Sequence, residues 1–148
     1  MNLLPIEILM AEDDEEDQLL VRKAFEQARV INHLSFVNDG EELMQRLRKE
    51  GKYADAPLPD ILLLDLNMPR KDGREALKEI KSDPDLHQVP VVVLTTSDAD
   101  EDIVRSYDLG ANSYIQKPVT FDKMVEMIEA LGKYWLGVVK LPSQADCG

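Results

Sequence analysis

A doubly wound α/β fold with a five-stranded parallel sheet is what this sequence predicts, and three observations predict it. Ile61–Leu64 and Pro90–Thr95 are short aliphatic runs that stop at polar residues, the pattern of strands buried on both faces. The stretches between such runs repeat their apolar residues near every 3.6 positions, as one-sided helices do. Strands and helices alternate along the chain, five of each, which calls for a parallel sheet covered on both faces.

The elements follow in order. Ile6–Ala11 reads as the first strand and runs into Glu12-Asp13-Asp14-Glu15-Glu16-Asp17. The next helix carries Leu20, Ala24 and Ala28 on one stripe, with Val21 and Phe25 beside it. Acidic residues at its start complement the helix dipole, which accounts for Asp14 to Asp17 but less well for Glu12 and Asp13, which abut the strand. His33–Val37 is a second strand, Asn38-Asp39-Gly40 a turn, and a helix from Glu41 to Glu50 is closed by Gly51. Lys52 to Pro59, with two prolines and no periodicity, is a loop into the third strand. Arg74 to Ser82 is a short helix with Ala76, Leu77 and Ile80 inward, stopped at Asp83-Pro84. After the fourth strand, Ser97 or Asp98 is placed to cap a helix in which Ile103, Val104 and Tyr107 recur. Gly110 ends that helix, and Ser113–Gln116 is the last strand. The final helix starts near Thr120 and buries Phe121, Met124, Val125, Ile128 and Leu131. Gly132 either weakens or ends it, which leaves open whether Tyr134-Trp135-Leu136 continues the same helix, and a tail follows from Leu141-Pro142.

Composition narrows the class. The chain has 148 residues, enough for one domain with a sizeable core, and 44% apolar and 31% charged residues are ordinary for a globular protein. A net charge of −12 argues against nucleic acid as a direct partner and favours cations. The single cysteine, Cys147, has no internal partner, in keeping with a reducing compartment. No apolar stretch approaches a membrane span, and the first residues lack a signal-peptide pattern, so a cytoplasmic protein is expected.

Asp65 directly follows the aliphatic run Ile61–Leu64, and Pro69 interrupts the chain four residues later. An unpaired carboxylate inside a buried strand is costly, so Asp65 is expected at the strand's carboxyl end. Taken alone it could equally open a turn or cap the next helix. In open parallel sheets, however, ligands bind at the carboxyl ends of strands where the strand order reverses. In the flavodoxin-like order 2-1-3-4-5 that reversal lies between the first and third strands, which here end in Glu12-Asp13 and Asp65. Thr95 and Lys117 end the fourth and fifth strands. Three crowded carboxylates must hold a cation or take up protons. With oxygen ligands and no histidine or cysteine cluster, the cation is a hard one such as Mg²⁺. His33 and His87 have no partner spacing and read as structural or solvated. A cation, a lysine and a hydroxyl around one carboxylate make a phosphoryl-transfer site with that carboxylate as nucleophile.

In the order acid pair, Asp, Thr, Lys-Pro, the sequence from Ile6 to Leu131 resembles the receiver domain of two-component response regulators. The matching residues are Glu12-Asp13, Asp65 with Met68-Pro69 and Gly73, Thr95, Tyr114 and Lys117-Pro118. The resemblance implies that Asp65 accepts a phosphoryl group from a histidine kinase and that the chain is a phosphoacceptor rather than an enzyme. It implies that Asp13, Asp65 and the backbone carbonyl of Asn67 ligate Mg²⁺ (or Mn²⁺), with Glu12 acting directly or through water. Lys117 would contact the phosphoryl oxygens, beside a cis peptide at Pro118. Thr95 and Tyr114 would form a switch pair, the hydroxyl moving toward the phosphoryl group and the ring filling its space. The chain ends soon after the fifth helix, so residues 1–148 are expected to be a single receiver domain with its core at about 6–131. The long proline-containing loop before Asp65 and the tail with Trp135 and Leu141-Pro142 resemble stand-alone phytochrome-associated regulators. That finer likeness implies a phytochrome as the kinase, a phosphotransfer protein as a further partner, and a homodimer through the fourth helix, fifth strand and fifth helix. Tyr107, Tyr114 and Trp135 are its candidate contacts. Thr96, branched where many receivers carry a smaller residue, is expected to slow loss of the phosphoryl group, and Asn67 to face the attacking water's path.

Three rival readings are weaker. A haloacid-dehalogenase-type phosphatase needs a second Asp two residues after its nucleophile, where this chain has Asn67. A nucleotide-binding module needs a glycine-rich phosphate loop after the first strand, and none is present. A docking module that is never phosphorylated has no reason to hold all five site positions.

Overall fold

The computed structural model describes residues 6–28, 32–96 and 99–133. Five strands, β1 (Ile6–Ala11), β2 (Asn32–Val37), β3 (Ile61–Leu64), β4 (Val91–Thr95) and β5 (Ser113–Gln116), form one parallel sheet in the order β2-β1-β3-β4-β5. The helices are α1 (Glu15–Ala28), α2 (Gly40–Leu47), α3 (Gly73–Ser82), α4 (Asp100–Asp108) and α5 (Phe121–Lys133). The expected fold class is therefore the one observed.

Successive side chains of a strand point to opposite faces, so an aliphatic run serves two cores at once. Leu9, Ala11, Leu62, Leu64, Val91 and Val93 face the core shared with α2 and α3. Ile8, Met10, Ile61, Leu63, Val92 and Leu94 face the core shared with α1 and α5. No residue of β3 or β4 is left exposed, which explains why these runs lack polar alternation.

Side chains cap four helices. Asp14 Oδ1 accepts from the amides of Glu16 and Asp17 at 2.8 and 3.2 Å, and Asp39 Oδ1 from Glu42 at 2.8 Å. Asp72 Oδ1 accepts from Glu75 at 3.0 Å and Thr120 Oγ1 from Lys123 at 3.2 Å. The residue before α4 is Ala99, which makes no side-chain cap; Ser97 and Asp98 lie outside the described residues.

Most bounds fall within a residue of expectation, and the end of α2 departs furthest. α2 stops at Leu47 rather than Glu50, because Lys49 takes a left-handed φ of 58° that no helix continues. Gly51–Tyr53 then forms a 3₁₀ turn at the start of the expected loop. α4 departs in burial: Val104 and Tyr107, on its apolar period, are 60% and 49% exposed. α5 continues past Gly132 to Lys133, and Tyr134 to Gly148 lie outside the described residues. No described helix is long and apolar enough to cross a membrane.

Candidate functional site

Every strand of a parallel sheet delivers the residues after it to the same edge. Here β1 delivers Glu12 and Asp13, β3 delivers Asp65, β4 ends in Thr95 and β5 leads into Lys117. The register carries this to the backbone: the amide of Asp65 donates to the Ala11 carbonyl at 3.1 Å and that of Lys117 to the Thr95 carbonyl at 2.7 Å. Two glycines let the adjoining loops close on this edge. A methyl group on Gly73 would stand 2.3 Å from the carbonyl oxygen of Asp65, and one on Gly40 1.9 Å from that of Lys71. Only hydrogen fits at either place.

Donors hold the Asp65 carboxylate from both sides. Its Oδ1 accepts from Thr95 Oγ1 at 2.9 Å and from the amide of Asn67 at 3.1 Å, and its Oδ2 accepts from Lys117 Nζ at 3.2 Å. Lys117 Nζ also donates to Glu12 Oε2 at 2.6 Å and to Asp17 Oδ2 at 3.0 Å. Thr95 is fully buried, Glu12 is 1% exposed and Asp65 5%, whereas Asp13 is exposed. Carboxylate oxygens of Glu12, Asp13 and Asp65 lie within 4.8 Å of one another. Such a set of hard oxygen donors suits a divalent cation.

The electrostatics bear this out. Burial, and after it the hydrogen bond shared with Asp65, pushes the Glu12 carboxyl up from 4.5 to about 8 against the pull of Lys117. Burial alone would lower Lys117; its bonds and charge partners Glu12, Asp65 and Asp17 outweigh that and hold the ammonium above its ordinary range. A consequence follows for stability. Glu12 binds its proton more tightly in the folded chain, so its contribution is full below pH 4.5 and is lost as the pH climbs to about 8. Urea midpoints measured in chelator should fall across that window, and Glu12→Gln should flatten the fall. A fall of the same size in the variant would remove Glu12 as its cause.

The other residues singled out from sequence sort clearly. Tyr114 is half-buried against the α2–α3 core, and its amide donates to the Tyr107 hydroxyl at 3.1 Å. Asn67 and Thr96 are exposed at the rim. His33 is exposed and pairs with Glu7 at 2.8 Å, and His87 is exposed, so neither joins the acids. The peptide before Pro118 is not cis: no described peptide bond is, and Lys117 reaches all three carboxylates with the ordinary trans form. Sequence reasoning missed two contributors. Asp17, assigned to the helix dipole, touches Lys117; Gln18 Nε2 ties the Glu12 carbonyl, at 2.6 Å, to Asn38 Oδ1, at 2.9 Å. Asp17's spacing of four from Asp13, at the same sheet edge, was the available signal.

Known proteins are similar to this chain in sequence and in fold. The response regulator Rcp1 of Synechocystis sp. is 40% identical over 139 residues, covering 94% of this chain and 95% of Rcp1. The crystal structure of the Mn²⁺-bound form of Rcp1 matches with a TM-score of 0.85 over 93% of this chain and 99% of that one. The phosphorylated cyanobacterial phytochrome response regulator RcpA matches with a TM-score of 0.88 at 44% identity, over 94% of this chain and 99% of its own. The response regulator receiver domain profile matches residues 8–129. With that profile spanning most of the chain, and the sheet in the order β2-β1-β3-β4-β5, the chain belongs to the response regulator receiver domain family.

Proposed function

We propose that Asp65 accepts a phosphoryl group from the phosphohistidine of a sensor histidine kinase and that this switches a partner-binding surface. The observation that carries it is Asp65 held between Lys117 Nζ and Thr95 Oγ1 beside Glu12 and Asp13. A carboxylate oxygen attacks phosphorus, the phosphorus–nitrogen bond breaks with its electron pair to the imidazole, and an acyl phosphate results. Lys117 supplies a positive charge to phosphoryl oxygens, and Thr95 a hydroxyl donor. Glu12, Asp13, Asp65 and the backbone carbonyl of Asn67 would hold Mg²⁺ or Mn²⁺, which would neutralise charge during transfer. The chain is then a phosphoacceptor that promotes its own labelling and slow release rather than an enzyme for a separate substrate.

A phytochrome as the kinase is supported by the likeness to RcpA, and a phosphotransfer protein would be an alternative exchange partner. Thr95 and Tyr114 act as the switch pair. A homodimer through α4, β5 and α5 is supported by exposed Val104, Tyr107 and Val119, the last 97% exposed; Trp135 lies outside the described residues. Residues 1–148 act as one cytoplasmic receiver domain.

Intact-mass spectrometry after incubation with acetyl phosphate tests the reading. One phosphoryl group should be gained in Mg²⁺ and none in chelator. If neither acetyl phosphate nor a phosphorylated histidine kinase gives an adduct, the chain is a docking module and the reading fails.

A further inference from the structure

An ammonium group has three N–H donors, and Lys117 spends all three on carboxylates. Two of these, Glu12 and Asp65, belong to the acid cluster, with side chains only 1% and 7% exposed. The third, Asp17, stands apart in the first turn of α1, and its side chain is 39% exposed. A phosphoryl group on Asp65 would bring new acceptor oxygens beside Lys117. To donate to one of them the lysine must let a carboxylate go. Releasing Asp65 would strand a charge and releasing Glu12 would leave a buried carboxyl without its partner, both expensive away from water, whereas Asp17 returns to solvent at little cost.

We propose that Asp17 is a positioning residue for Lys117, occupying its third donor in the unphosphorylated chain and yielding it when Asp65 is phosphorylated. This rests on Asp65 being the acceptor. Favouring the start of a helix does not explain the contact. Glu15 and Glu16 lie in the same turn, are exposed, and serve the dipole as well as Asp17 does. The contact also links the first turn of α1 to the lysine, so phosphorylation would loosen that turn from the sheet edge.

The test compares initial labelling rates by acetyl phosphate in saturating Mg²⁺ for the full chain and four variants. Acetyl phosphate gives its phosphoryl group to an Asp65 oxygen, and acetate leaves with the electron pair. Asp17→Asn and Asp17→Ala should label about two- to fivefold faster, the range that an ion pair with one exposed partner supports. Asp17→Glu should return the slower rate, and Glu16→Gln, matched in charge change but touching no lysine, should leave it where it was. A second readout follows the Lys117 ammonium by ¹⁵N resonance in the phosphoryl-free protein, assigned with Lys117→Arg. Its exchange with water should quicken in Asp17→Asn and not in Glu16→Gln. A labelled wild type whose Asp17 variants match Glu16→Gln in rate and exchange overturns this proposal alone. A wild type that takes no phosphoryl group overturns the acceptor reading, and this proposal with it.

Discussion

Asp65→Asn should take up no phosphoryl group from acetyl phosphate while keeping its fold. The amide nitrogen and oxygen that replace the carboxylate are poor nucleophiles, and no neighbour is placed to substitute. Glu12 is buried and engaged by Lys117, and Asp13 is exposed and off the lysine's donors. The loss should be complete within detection, beyond the factor of about 10³ that a missing stabilising donor alone produces. Stability should change by less than about 1 kcal/mol, because two effects offset. Asn keeps an oxygen for Thr95 Oγ1 and the Asn67 amide and removes one of the crowded negative charges, but it turns a donor toward Lys117. Glu12 should then titrate lower than about 8, since part of its shift comes from Asp65. Intact mass, a urea melt and the pH dependence of that melt check the three statements. A labelled Asn variant would move the acceptor elsewhere.

Lys117→Ala should separate chemistry from cation binding by driving them in opposite directions. Labelling should slow by about 10²- to 10³-fold, the cost of losing a preorganised charge aimed at the transferring group. Mg²⁺ should bind about tenfold more tightly, because the ammonium that competes for Glu12 and Asp65 is gone. In chelator above pH 8 the variant should lose up to about 3 kcal/mol, since the carboxylates it leaves are buried without their counter-ion. Mg²⁺ should restore much of that loss. Calorimetric titration beside labelling kinetics reads both signs. Weaker cation binding in the variant would show that Lys117 supports the cation rather than rivals it.

The sheet and its edge were legible in the sequence because burial on two faces leaves a strand no freedom. Ile61–Leu64 and Pro90–Thr95 admit no polar residue until the edge, and the edge is where Asp65 and Thr95 stand. Local chemistry was harder to read. Lys49 adopts a left-handed backbone that its residue type does not announce, so α2 ends a turn early. Periodicity marks Ile103, Val104 and Tyr107 as one face, but periodicity cannot say whether a face meets the sheet or solvent, and on α4 much of it meets solvent. The ion pair of Asp17 with Lys117 joins residues 100 apart, and a residue with a sufficient local explanation hides a distant one.

The clearances at Gly40 and Gly73 carry a consequence for how such a protein can change. Main chain, not side chain, crowds these two positions, so the frame around Asp65 leaves little room for drift. Asn67 and Thr96 stand at the rim, exposed and outside both cores. Side chains there can change without crowding the frame, and they face the solvent from which Asp65 is reached. If Asp65 is the acceptor as proposed, the duration of a signal could be retuned by descent, one rim residue at a time, without relearning how to receive it.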